Sequence, residues 1–248
     1  MLRSGFHPDL PRTVMFKWYL LSVLSGSVNA GGFLAVQCFV THVTGFATLF
    51  GVSLAHGNWF EGIGFLSVPL FFLSGAAVAS YFLDHRYRVG REPRYALVMG
   101  MVCVCLVIVA MIGNRNGFGV FGGQTALAQD YFLLSLLSLA SGLQNAAVTT
   151  ASDGRVRTCH LTGPLTDFGI GLTRVLFPVS DVNVVARERK EMIMKGCSIF
   201  SFIAGSVLGA LLFIKFQYLG FLFPAGIALY SIFQLLGPQV SEEKSSKI

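Results

Sequence analysis

Residues 41–48 read Thr-His-Val-Thr-Gly-Phe-Ala-Thr, and residues 159–166 read Cys-His-Leu-Thr-Gly-Pro-Leu-Thr. The two stretches share a His, a Thr-Gly pair and a closing Thr at the same spacing. Upstream, Ser25-Gly26-Ser27-Val28-Asn29-Ala30 matches Ser141-Gly142-Leu143-Gln144-Asn145-Ala146, and downstream Leu73-Ser74-Gly75-Ala76 resembles Ile203-Ala204-Gly205-Ser206. Three matches in one order point to duplication. The offset is 116 residues at the Asn and 118 at the His, so two residues are inserted between the motifs.

The setting of these motifs is apolar. Of 248 residues, 54% are hydrophobic and 12% charged, and the mean hydropathy is +0.67. A soluble domain carries about a quarter charged residues, so this chain lacks the polar surface for water. A crossing helix needs roughly 20 apolar residues. Eight apolar segments fall at about Phe16–Val36, Thr41–Ala55, Gly62–Leu83, Tyr95–Gly113, Tyr131–Thr150, His160–Phe177, Ile193–Ile214 and Tyr218–Leu236. The second and sixth are short, rich in Thr and Gly, and start beside the repeated His. The opening segment is too polar before its apolar run for a cleavable signal, so it reads as retained.

The formal charge of +6 does not mark a nucleic-acid binder, because the cations sit in short loops between apolar runs. Five clusters hold 15 of the 18 Lys and Arg: the N-terminus, Arg86–Arg94, Arg155 with Arg157, Arg187–Lys195, and the C-terminus. Positive loops face the cytoplasm. Between two such loops the chain crosses an even number of times, so the second and sixth segments turn back within the membrane; a plain eight-span fold, which would put one or more Arg clusters outside, ranks second. The expected fold is an all-α integral membrane protein. It has about six transmembrane helices, two short re-entrant or broken helices, and a 3+3 repeat. Three crossings per half invert the second copy. The expected divisions are a cytoplasmic tail over 1–15, repeats over 16–113 and 131–236, and a cytoplasmic tail over 237–248. Trp18 and Trp59 are expected near the membrane interfaces.

The motifs resemble the YoaK-like family, bacterial membrane proteins grouped as a domain of unknown function. The likeness rests on Asn29-Ala30 with Gly32-Phe33-Leu34, Thr41-His42-Val43-Thr44-Gly45, Gly142-Leu143-Gln144-Asn145-Ala146, and Thr162-Gly163 with Thr166-Asp167. It covers nearly the whole chain between the tails. It implies about six spans and a bacterial inner membrane, multi-pass, and it supplies no activity. The family commonly carries Asp at the place of Asn29 and Asn at that of Phe46.

Function therefore rests on residues. His42 and His160, paired by the repeat, could carry protons, since imidazole titrates nearest physiological pH. Their bland reading is a helix-end bond to a carbonyl. Asp167 is the one acid well inside an apolar segment. It is either a cation or proton site or the partner of Arg174 or Arg157, because a buried carboxylate needs a partner or protonates. Asn29 and Asn145 either bond backbone where a helix breaks or contact solute. Gln144 and Gln37 are weaker candidates of that kind. Thr44 and Thr162 look like helix starts, where Thr caps well. Two facing helix starts would favour an anion. The five cysteines suggest neither disulfides nor zinc, and no catalytic motif or cofactor fingerprint occurs.

The leading expectation is a secondary transporter or channel-like permease for a small solute or ion, proton-coupled through His and Asp, with neither cofactor nor metal. Its partners are lipid and solute, not nucleic acid, and a homo-oligomer stays open. The alternatives are a membrane enzyme acting on a lipid or isoprenoid, and a non-catalytic scaffold.

Overall fold

The structure is a computed structural model that describes residues 12–123, 128–177 and 181–236. It is helical throughout, with no strand among the described residues. The helices are α1 (Arg12–Val36), α2 (Val43–Ala55), α3 (Trp59–Ser80), α4 (Arg86–Arg88), α5 (Tyr95–Asn114), α6 (Ala128–Ala151), α7 (Thr162–Leu176), α8 (Val182–Phe216) and α9 (Leu222–Leu236). A π-helical turn over Tyr81–His85 joins α3 to α4, so Trp59–Arg88 runs as one rod.

Five stretches among the described residues are long and apolar enough to cross a membrane: Thr13–Val36, Trp59–Arg88, Tyr95–Asn114, Ala128–Ala151 and Val182–Leu236. Their outward side chains, such as Leu73, Val104, Phe200, Leu211 and Phe233, are exposed and apolar. That is the surface a lipid chain would contact. A straight helix over Val182–Leu236 would be about 80 Å long, against a hydrocarbon layer of about 30 Å. The chain breaks it at Gln217, where φ is 48° and ψ −128°, and a 3-10 turn over Gln217–Phe221 leads into α9.

Close packing joins helices that are distant in sequence. Along α1 and α8 the partners rise together. Ser22 Oγ lies 2.8 Å from Ser198 Oγ, Ser206 Oγ donates to the Gly26 carbonyl at 3.1 Å, and Gly31 lies against the Phe213 ring. The two helices are therefore parallel. Along α3 and α6 the same holds. Ser67 Oγ lies 3.1 Å from Ser135 Oγ, Ser138 Oγ donates to the Val68 carbonyl at 2.9 Å, and Gly142 lies against Phe72. Glycine is required at both seams. A methyl group on Gly26 would strike the Phe202 carbonyl and one on Gly142 the Phe72 carbonyl; Gly205 and Gly75 meet Val23 and Leu139 in the same way. Such small residues let helix backbones approach where lipid offers no hydrophobic drive.

The short helices lean on their sequence neighbours. α2 packs antiparallel on α3, with Leu54 near Gly62 and the Phe46 and Phe65 rings 6.2 Å apart. α7 packs antiparallel on α8, with Met192 beside Gly171 and the Phe168 ring beside Gly196. At about 1.5 Å per residue these helices of 13 and 15 residues span roughly 20 and 22 Å, less than the hydrocarbon layer of about 30 Å.

α8 starts at Val182, well before the apolar run at Ile193. Its first turns are rich in Arg, Glu, Lys and Met, which favour helix without being apolar. Trp18 is only 3% exposed and belongs to the core between helices, whereas Trp59 is 67% exposed. The expected tails lie outside the described residues except at 12–15, which are helical.

Candidate functional site: two non-helical arms

α1 and α6 meet near the middle of α1 and about two-thirds along α6. The contact is Ser25 Oγ donating to Gln144 Oε1 at 2.7 Å, and Gln144 Nε2 donates back to the Leu21 carbonyl at 2.9 Å. Beyond this crossing each helix ends in a residue at positive φ, Gln37 (57°) after α1 and Asp153 (50°) with Gly154 (81°) after α6. Side chains without a special reason avoid that region. Here it reverses the chain into an arm that runs back beside the helix it has just left.

The paired asparagines hold these arms. Asn29 Oδ1 accepts from the Thr41 amide at 3.2 Å and from Thr41 Oγ1 at 3.0 Å. Asn145 Oδ1 accepts from the amides of Thr158 at 3.3 Å and Cys159 at 3.4 Å. Backbone outside a helix must find such partners at membrane depth. Of the two readings from sequence, backbone bonding is the one this geometry displays.

The histidines stand where the arms turn into the short helices. His42 directly precedes α2, its ring over Gly45 and edge-on to Phe39 at 6.3 Å. A methyl group at Gly45 would come within 2.9 Å of Nδ1, so glycine makes room for the ring. His160 is half-buried beside Phe72, 5.6 Å between ring centroids. The charges of Arg157 and His42 both act on its imidazole, so the two histidines, distant in sequence, lie within electrostatic range of one another.

Thr44 and Thr162 lie in the first turns of α2 and α7, exposed, but neither caps its helix. The cap positions are His42 and Leu161, and neither makes a side-chain cap bond. The downstream Thr48 and Thr166 hydroxyls donate to the Thr44 and Thr162 carbonyls at 3.2 and 2.9 Å. The helices simply begin one or two residues before a Thr cap would allow. Pro164, in the first turn of α7, sits where its missing N–H costs nothing.

Asp167 departs most from expectation. It pairs with neither Arg174 nor Arg157 but receives Lys195 Nζ on Oδ2 at 3.0 Å. Its side chain is 53% exposed and that of Lys195 only 20%. Arg174 instead donates to Glu188 at 3.1 Å, and Glu191 lies between Arg187 at 3.5 Å and Arg155 at 3.7 Å. The reason is the early start of α8, which brings a charged helical face alongside α7. The result is a polar cleft of about 490 Å³ floored by Ile170, Gly171 and Met192. Asp167 thus faces α8 and not the histidines.

Sequence reading underrated Gln144. It is fully buried, and besides its bonds to Ser25 and Leu21 it donates to Thr158 Oγ1 at 3.0 Å and faces Cys159 Sγ at 3.4 Å. One side chain thereby ties α6, α1 and the second arm. Its repeat counterpart, Val28, has no polar group, so the repeat gave no sign of it. Cys159 is buried and reaches Ser25 and the Ser141 carbonyl as well. Among the described residues, no three His, Cys, Asp or Glu side chains converge as a metal set.

Residues 18–234 match the model of a family described as a protein of unknown function, DUF1275, and the chain belongs to that family. The YoaK-like resemblance agrees with it. No curated protein and no solved structure is found to be similar.

Proposed function

We propose that this protein is a secondary transporter or channel-like permease that moves a small solute past the His42–His160 pair. In this reading α1, α3, α5, α6, α8 and α9 cross the membrane, while α2 and α7 with their arms turn back inside it. The halves over 16–113 and 131–236 are an inverted repeat, a common transporter plan whose sites lie near the membrane centre, where broken helices meet.

Exchange of partners supports the repeat. α1 pairs with α8 and α6 with α3, so each half's first helix packs on the other half's third. The Ser22–Ser198 contact has its counterpart in Ser138 with Val68, at matching places in both halves. Depth follows from the crossing. Ser25 lies near the midpoint of α1 and Gln144 about two-thirds along α6; Asn29 is one turn beyond Ser25, and Asn145 directly follows Gln144. Non-helical backbone there is tolerated only against protein or a water-filled cavity.

The observation that carries the proposal is that His42 and His160 stand at the starts of two half-length helices, within electrostatic range of one another. First-turn N–H groups point out of such ends. Together they offer hydrogen-bond donors, a positive dipole end and two groups able to exchange a proton. Asn29, Asn145, Thr44 and Thr162 support or line this place. The cation-rich loops favour a bacterial inner membrane location with both termini in the cytoplasm.

The test is uptake into proteoliposomes against a panel of metabolites and ions, with and without a proton gradient. The proposal expects at least one solute to accumulate, and His42→Ala and His160→Ala to abolish that uptake while the protein stays folded. Uptake unaffected by both substitutions would remove the site, and the absence of any uptake across the panel would count against transport.

A further inference from the structure

The two short helices are fastened by different forces. α2 meets α3 through Phe46 on Phe65 and Leu54 beside Gly62. α7 meets α8 through Phe168 beside Gly196 and Met192 beside Gly171, and adds two ion pairs that α2 lacks, Asp167–Lys195 and Arg174–Glu188, two turns apart along α7 with a polar cleft between them. At the places in α2 that match Asp167 and Arg174 stand Leu49 and His56.

This difference matters in a membrane. Apolar contacts gain little there, because lipid solvates the separated faces equally well. They are also indifferent to hydration. An ion pair behaves otherwise: its attraction scales inversely with the local dielectric, so it is strong while dry and weak once water enters. Lys195 is mostly withdrawn from solvent, and its charge then depends on Asp167 for compensation. The cleft beside the pair is open and polar, which gives water a route to it. Both arms follow a positive-φ turn, Asp153 with Gly154 before α7 and Gln37 before α2, so the ion pairs are what separate the two short helices.

We propose that α7 is a gate latched by Asp167–Lys195 and Arg174–Glu188, and that α2 is the fixed counterpart. Closed, the latch holds α7 on α8 and seals that side of the histidine pair. Hydrated or neutralised, it releases α7 from α8 while the arm stays tied to Asn145 and Gln144. The gating consequence rests on the transporter reading, but the latch does not.

Hydrogen exchange on the full-length protein in lipid nanodiscs, read by mass spectrometry, separates the two. Asp167→Asn and Lys195→Met should each speed exchange across residues 162–176 by roughly tenfold, with residues 43–55 unchanged. The charge-reversed pair Asp167→Lys with Lys195→Asp should return α7 to within about threefold of wild type. Raising the salt should speed exchange in α7 alone. No change in α7 with either single substitution would overturn the latch. So would equal acceleration of α2 and α7, which marks general loosening, or a charge reversal that restores nothing. None of these outcomes depends on finding a transported solute.

Discussion

In the first half, Asn29 holds its arm through the Thr41 amide and hydroxyl; in the second, Asn145 holds its arm through the amides of Thr158 and Cys159. The two glycine seams likewise face carbonyl oxygens at matching positions. Where backbone has to be satisfied or approached, the halves agree. Where side chains meet one another, they diverge: Val28 against Gln144, and an apolar α2–α3 contact against an α7–α8 contact that adds two ion pairs. In the repeat proposed here, backbone geometry agrees between the halves and side-chain chemistry does not, so functional asymmetry is expected where the halves differ.

The largest effects should fall where the halves agree. Gly26→Leu and Gly142→Leu should each abolish monodisperse protein on size exclusion, because the side chain drives into a helix backbone. A fold that tolerates one and not the other would break the equivalence. His42→Ala and His160→Ala should both bring uptake to background with thermal midpoints within about 2 °C of wild type. Loss from only one of them would confine the site to one half.

Smaller effects should mark the divergence. Gln144→Leu leaves Thr158 and Ser25 without their partner and should cost about 2–4 kcal/mol by thermal or denaturant unfolding. Val28→Ala, its counterpart, should cost about 1 kcal/mol as a small packing loss. Similar costs at the two sites would deny Gln144 its tying role. Asn29→Ala and Asn145→Ala should cost about 1–2 kcal/mol each, and equally. A clear inequality would show that one arm is held by something else.

Much of this was legible in the sequence. The apolar runs and the repeated Asn and His motifs identify the helices, the arms and the paired side chains, because apolar patterning and backbone demands leave local marks. Longer-range chemistry left none. Lys195 lies 28 residues from Asp167, and only a helical start at Val182 brings it alongside, whereas spacing within α7 pointed to Arg174. Gln144 stood in a Gly-Leu-Gln-Asn-Ala string whose counterpart carries Val28, so comparison of the halves hid it. The Thr residues resembled caps because Thr is a good cap, but the helices begin too early for either to serve.

The decisive measurement is the sidedness of loop residues. In a cysteine-free background, single cysteines replacing Asn58, Arg91, Val120, Asp153 and Asp181 would be labelled with an impermeant maleimide in oriented vesicles. Re-entry predicts Asn58 and Val120 on one side of the membrane and Arg91, Asp153 and Asp181 together on the other. Labelling of Asp153 and Asp181 from opposite sides would make α7 a full crossing and contradict the account.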